Sequence, residues 1–183
     1  LGPTLVLWLF DSTPSATELT KEVAAAAERF YESAETAATL SAEGQPLLTS
    51  IIVFGEQPRL LFDEPTAELG RIKEALRKRV PATGGREMPL TAVKQGIESY
   101  LPLRTSNERE LVVVLVTDEA GHDPQVCDEL VELARRQLIP VYVIGLPAPW
   151  GQTNPYVADP KTPGTADDDS QPMYGPESHQ SGR

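Results

Sequence analysis

Asp11-Ser12-Thr13-Pro14-Ser15 carries four oxygen-bearing side chains in five residues, directly behind the apolar run Leu5 to Phe10. Two other stretches resemble it. Asp118 follows a second apolar run, Leu111 to Thr117, and the segment from Thr83 to Thr91 holds Gly84-Gly85, Arg86 and Glu87. Together they offer the carboxylates of Asp11 and Asp118, with Glu87 a further candidate. The hydroxyls are those of Thr13 and Ser15, and of Thr83 or Thr91. The set is all oxygen, apart from His122 nearby. Hard oxygen donors suit Mg²⁺, Mn²⁺ or Ca²⁺ rather than Zn²⁺. An ion held by few carboxylates and several neutral hydroxyls stays electron-poor, and it keeps a water-filled position open to a carboxylate from another protein. The plainer alternative is that Asp11 and Asp118 only cap the turns that end their strands.

For these residues to meet, the fold must bring three loops to one edge. Leu5 to Phe10 and Leu111 to Thr117 read as strands buried on both faces. Leu47 to Phe54 and Arg59 to Phe62 read as further strands. Gly55-Glu56-Gln57-Pro58 joins them as a hairpin, which puts the third strand antiparallel at the edge. Pro140 to Ile144 is the last strand. Apolar residues at helical spacing predict helices over Ala16 to Ala38, Thr66 to Val80, Leu90 to Leu101 and from Asp123 to Gln137. In the first, Leu19, Val23, Ala26, Ala27, Phe30, Ala34 and Ala37 form the inward stripe. Ser15 and Glu18 have the form of a capping box, and Asp123-Pro124 that of a cap followed by an N1 proline. In the last helix Cys127, Leu130, Val131 and Ala134 are expected to be buried, which makes Cys127 a small core residue rather than a nucleophile. Strands alternating with helices of this length imply a three-layer α/β/α, doubly wound, mostly parallel sheet. In such sheets ligands bind beyond the carboxyl ends of the strands. Asp11 and Asp118 are thus expected close enough to share an ion, within ~8 Å between carboxyl carbons.

Composition narrows the function. The 183 residues suffice for one core. A net charge of −11 argues against a nucleic-acid partner. No run approaches the ~20 apolar residues of a membrane span. One cysteine excludes an internal disulfide. The core is expected over residues 1–146. Residues 147–183, rich in proline and glycine with the run Asp167-Asp168-Asp169, read as an extended or disordered tail or insertion. Trp150 and Tyr156 are placed to pin its first part to the domain. The start at Leu1-Gly2-Pro3 suggests a piece of a longer chain, and the expectation leans to an exported, cell-envelope protein of bacterial type.

The loop Asp11-Ser12-Thr13-Pro14-Ser15, the Gly84-Gly85 loop before a helix and the Thr117-Asp118 strand end together resemble a von Willebrand factor type A domain, over about Leu5 to Gly145. The resemblance implies a Rossmann-like sheet of order 3-2-1-4-5, with strand three antiparallel; the family's sixth strand and final helix are not evident here. It also implies a metal-ion-dependent adhesion site. Asp11, Thr13 and Ser15 match the family's first loop and Asp118 its third. The chain departs at Pro14 and Glu119, where glycine is common, and at Arg86, where threonine is expected. Glu87 or Thr91 would supply the missing oxygen, and an inward Arg86 would instead neutralise the two aspartates without metal. Arg86, Glu119 and His122 are expected on the rim.

The function this supports is a protein-binding, adhesion-type module that recognises its ligand through Mg²⁺, or Mn²⁺ or Ca²⁺, and not an enzyme. The rivals are a metal-independent scaffold with a degenerate site and a metal-dependent hydrolase using Asp11. The hydrolase lacks a D-x-D pair, a phosphate loop ending in lysine and a placed general acid. Lys94 is expected on a solvated helix face.

Overall fold

The computed structural model describes residues 4–40, 47–77, 85–107 and 109–145. Within them five strands form one sheet: β1 (Leu5–Asp11), β2 (Leu48–Phe54), β3 (Arg59–Leu60), β4 (Leu111–Val116) and β5 (Val141–Ile144). Their order is β3-β2-β1-β4-β5. All neighbours are parallel except β2 and β3. β1 is the centre, paired along its length with β2 and β4, and all seven of its residues are buried. Its side chains alternate between two cores. Leu5, Leu7 and Leu9 face α3 (Pro89–Asn107) and α4 (Cys127–Arg136), packing with Val93, Ile97, Leu130 and Leu133. Val6, Trp8 and Phe10 face α1 (Thr17–Leu40) and α2 (Leu69–Arg77), packing with Ala24, Ala27, Ile72 and Leu76. These are the expected three layers.

The two polar side chains buried mid-sheet on β2 are paired, as burial demands. Thr49 and Ser50, adjacent on β2 and fully buried, point to opposite faces. The Thr49 hydroxyl donates to the Tyr31 hydroxyl of α1 at 2.8 Å, which also accepts the Trp8 indole N–H at 2.8 Å. Ser50 and the Tyr100 hydroxyl of α3 lie 2.6 Å apart.

Several expectations need correction. β3 spans two residues, not four; beyond it Thr66 pairs with Thr49 in an isolated antiparallel bridge, and α2 starts only at Leu69. α3 runs on to Asn107 through Pro102. α1 is rotated by about one residue from the expected stripe. Ala24, Ala27 and Tyr31 are buried, while Ala26 is exposed and Phe30 is 51% exposed. The hydrogen bonds of Tyr31 fix that rotation. α1 begins at Thr17, so Ser15 lies two residues before it rather than at its cap. In α4, Leu130 and Leu133 face the core; Cys127 is exposed and Val131 is 48% exposed. Among the described residues β5 is the last strand on this side of the sheet. β5 has four residues, and Tyr142 and Val143 are largely exposed, so nothing among the described residues covers the far side of α4. An open apolar groove of about 800 Å³ lies there, bordered by Cys127, Val131, Leu138 and Val143. No described helix is long and apolar enough to cross a membrane. The expected tail from residue 147, with Trp150, Tyr156 and the aspartate run, lies outside the described residues.

Candidate functional site

β1 and β4 run parallel in register, so their carboxyl ends meet, and the loop before α3 closes the same edge. Asp11, the last residue of β1, is 2% exposed. Its Oδ1 accepts the Thr13 backbone N–H at 2.9 Å and the Thr13 hydroxyl at 2.6 Å. Its Oδ2 accepts the Thr117 hydroxyl at 2.8 Å. The first loop is thus wound around its own aspartate. Thr13 Oγ1 lies 3.2 Å from Ser15 Oγ, which continues the chain of oxygens. Ser12 has another task, donating through its N–H (2.8 Å) and its hydroxyl (2.6 Å) to the Phe54 carbonyl at the end of β2.

In the second loop Gly85 has a φ of 124°, which belongs to glycine. Two residues on, Glu87 turns inward and is 6% exposed, while Arg86 is exposed. Both backbone groups of Glu87 are held by one residue of the third loop. Its N–H donates to His122 Nδ1 at 3.1 Å, and its carbonyl accepts the His122 N–H at 2.7 Å. His122 therefore locks two loops together, with its proton on Nε2. Asp123, fully buried, accepts the backbone N–H groups of Thr91 at 2.5 Å and Leu90 at 3.4 Å. It caps the start of α3 and makes no side-chain cap of the short 3₁₀ turn (Pro124–Val126) that follows it.

One oxygen from each of Asp11, Glu87 and Asp118 lies within 4.8 Å of the others. Three carboxylates so close oppose one another's ionisation. Burial first, then Asp11, Glu119 and Asp118, push the Glu87 carboxyl up to about 7, against the Thr13 hydroxyl, which favours its charged form. Burial also raises Asp118, with Asp11 adding to it, while its own backbone N–H and the Ser15 hydroxyl pull it down. Glu87 Oε2 and Asp118 Oδ1 are buried with no hydrogen-bond partner. Orphaned carboxylate oxygens of this kind cost stability unless a cation or proton meets them. The donors suit a hard divalent ion: carboxylates and hydroxyls, with the ring nitrogen of His122 that faces Glu87 already engaged.

Of the residues singled out in the sequence, Asp11, Thr13, Ser15, Glu87 and Asp118 come together. Thr91 is half-buried in the first turn of α3, tied by its N–H to Asp123. Glu119 is exposed beside the cluster, and Thr83 lies outside the described residues. Arg86 is exposed and does not take the inward place from which it would neutralise the two aspartates. Lys94, expected to be solvated, pairs with Glu129 of α4 at 2.7 Å and bridges α3 to α4. The bonds of Thr117 to Asp11 and of Asp123 to the start of α3 go beyond the strand end and helix cap that the sequence suggests for them. Thr117 was readable only as the last residue of a strand, and the partners of Asp123 lie more than thirty residues away.

No family profile and no curated protein matches this sequence. Solved structures do. BatB from Bacteroides thetaiotaomicron, a conserved hypothetical protein, aligns at 16% identity over 78% of this chain and 66% of its own, with a TM-score of 0.59. Proximal thread matrix protein 1 from the mussel byssus, with a zinc-occupied MIDAS motif, aligns at 20% identity over 79% of this chain and 38% of its own, with a TM-score of 0.56. The ArnB paralog VWA2 from Sulfolobus acidocaldarius aligns at 17% identity over 81% and 36%, with a TM-score of 0.52. The chain spans only 38% of the mussel protein and 36% of VWA2. At such identities the likeness speaks for the fold. It is the von Willebrand factor type A fold, with five strands among the described residues.

Proposed function

We propose that this chain is a binding domain that holds a divalent cation with Asp11, Glu87 and Asp118, supported by the hydroxyls of Thr13 and Ser15. The loaded edge would then recognise a protein partner. One observation carries this reading: three carboxylate oxygens converge within 4.8 Å, and two buried carboxylate oxygens of the same residues lack any partner. Turn-capping aspartates alone would not leave such oxygens orphaned. The fold adds support, since the mussel protein of the same fold carries zinc in its motif. The oxygen-only donor set here favours Mg²⁺ or Mn²⁺ over zinc. A binding role fits better than a hydrolytic one, because Lys94 is committed to Glu129.

Thermal melts test this. With Mg²⁺ or Mn²⁺ at about 100 times its Kd, stability should rise by about 2.7 kcal/mol, a Tm increase of roughly 5–10 °C. A chelator should reverse it. Asp118→Asn and Asp11→Ala should each remove most of the shift. Melts that ignore both cation and chelator would end the metal reading.

A further inference from the structure

We propose that Glu87 is a built-in anionic ligand of this site, so that the loaded edge accepts a partner's neutral oxygen and turns away a partner's carboxylate. This rests on the cation reading above.

Charge decides the matter. Two carboxylates on a divalent ion leave it neutral, and an entering carboxylate is then attracted by an ion still short of ligands. That is the pattern the family resemblance implies, two aspartates with a threonine in the second loop. Here the second loop delivers a third carboxylate into the cluster. Three over-neutralise a divalent ion by one charge, and exposed Glu119 adds another negative group at the rim. Glu87 is not a side chain that drifts in and out. It is 6% exposed, its Oε2 is buried without a partner, and its backbone is pinned at both N–H and carbonyl to His122. A fixed buried anion facing the ion occupies the role an outside carboxylate would play. A remaining coordination position is then best filled by an uncharged donor such as a main-chain carbonyl, an Asn or Gln amide oxygen, or a hydroxyl.

Mn²⁺ and water-proton relaxation read this directly, since relaxivity falls when a ligand displaces an inner-sphere water. The comparison is wild type against Glu87→Gln, which keeps the shape and drops the charge, and Glu87→Thr. A chelator melt and circular dichroism verify that each variant is folded. The wild type should bind Mn²⁺, with a relaxivity unchanged by acetate but lowered by acetamide at the same concentration. Both variants should bind Mn²⁺ at least ~10-fold more weakly and should lose relaxivity on adding acetate. Equal acetate sensitivity in wild type and variants overturns the proposal while leaving the metal site standing. So does Mn²⁺ affinity unchanged by Glu87→Gln. Failure of the wild type to bind Mn²⁺ overturns the underlying reading and this one together.

Discussion

Glu87 holds its proton up to about pH 7, far above the ordinary carboxylate value of 4.5, chiefly because it is buried and then because Asp11 faces it. This has a sign in stability. The folded, cation-free protein binds that proton more tightly than the unfolded chain does. Below pH ~4.5 both forms are protonated and the contribution is fully present. Between ~4.5 and ~7 the unfolded chain ionises first, so stability drains away as pH rises, and above ~7 the loss is complete. The upper limit is roughly 3 kcal/mol. Other carboxylates titrate in the same window, so the measurement is the difference between wild type and Glu87→Gln in urea melts with chelator, from pH 4.5 to 7.5. That difference should move against the wild type as pH rises. Saturating Mg²⁺ should reverse its slope, because the ion binds the ionised form. A pH-independent difference would show that the Glu87 carboxyl is not held in the buried, carboxylate-facing setting described here.

Among the elements, the loops carry the tightest constraint at Gly121. Its φ is 82°, and a Cβ there would sit 2.2 Å from Cδ of Pro89 and 3.2 Å from the Glu87 carbonyl. Neither neighbour can yield: one belongs to a closed ring at the start of α3, the other to the backbone that His122 grips. Gly121→Ala should therefore cost at least ~2 kcal/mol in urea melts and weaken cation binding at the same time. Loss of stability with unchanged Mn²⁺ affinity would separate the loop packing from the site. This packing marks where sequence reading stops. β1 and β4 were legible because continuous apolar runs have few other uses, and Asp11 and Asp118 followed from where those runs end. The choice between Arg86 and Glu87 was not legible. It turns on one residue of offset in a loop with no periodicity, set by the φ of Gly85 and the His122 bridge. The buried face of α4 was misread for another reason. A stripe of apolar residues says that something covers it, and the sequence does not say that β5 is the last strand of the sheet among the described residues.

For the whole molecule, the sheet is unevenly secured. β1 has neighbours on both edges and helices on both faces, whereas β5, among the described residues, pairs only with β4 and exposes Tyr142 (59%) and Val143 (64%). The carboxylate cluster sits at the secure centre, at the ends of β1 and β4; the open groove by α4 lies at the weak margin. Local opening should follow this gradient, since amides with few buried neighbours exchange first. Hydrogen exchange should find Leu7 to Phe10 and Val113 to Val116 protected to near the global unfolding free energy, with Tyr142 and Val143 exchanging much sooner. A cation held as proposed by Asp11, Glu87 and Asp118 would tie β1, the end of β4 and the loop before α3 together, and β5 would supply none of its ligands. Adding Mg²⁺ should therefore slow exchange at Thr13, Glu87 and Glu119 far more than at Val143. Equal slowing across β5 would mean that the cation tightens the whole sheet, and that the margin is coupled to the site through β4.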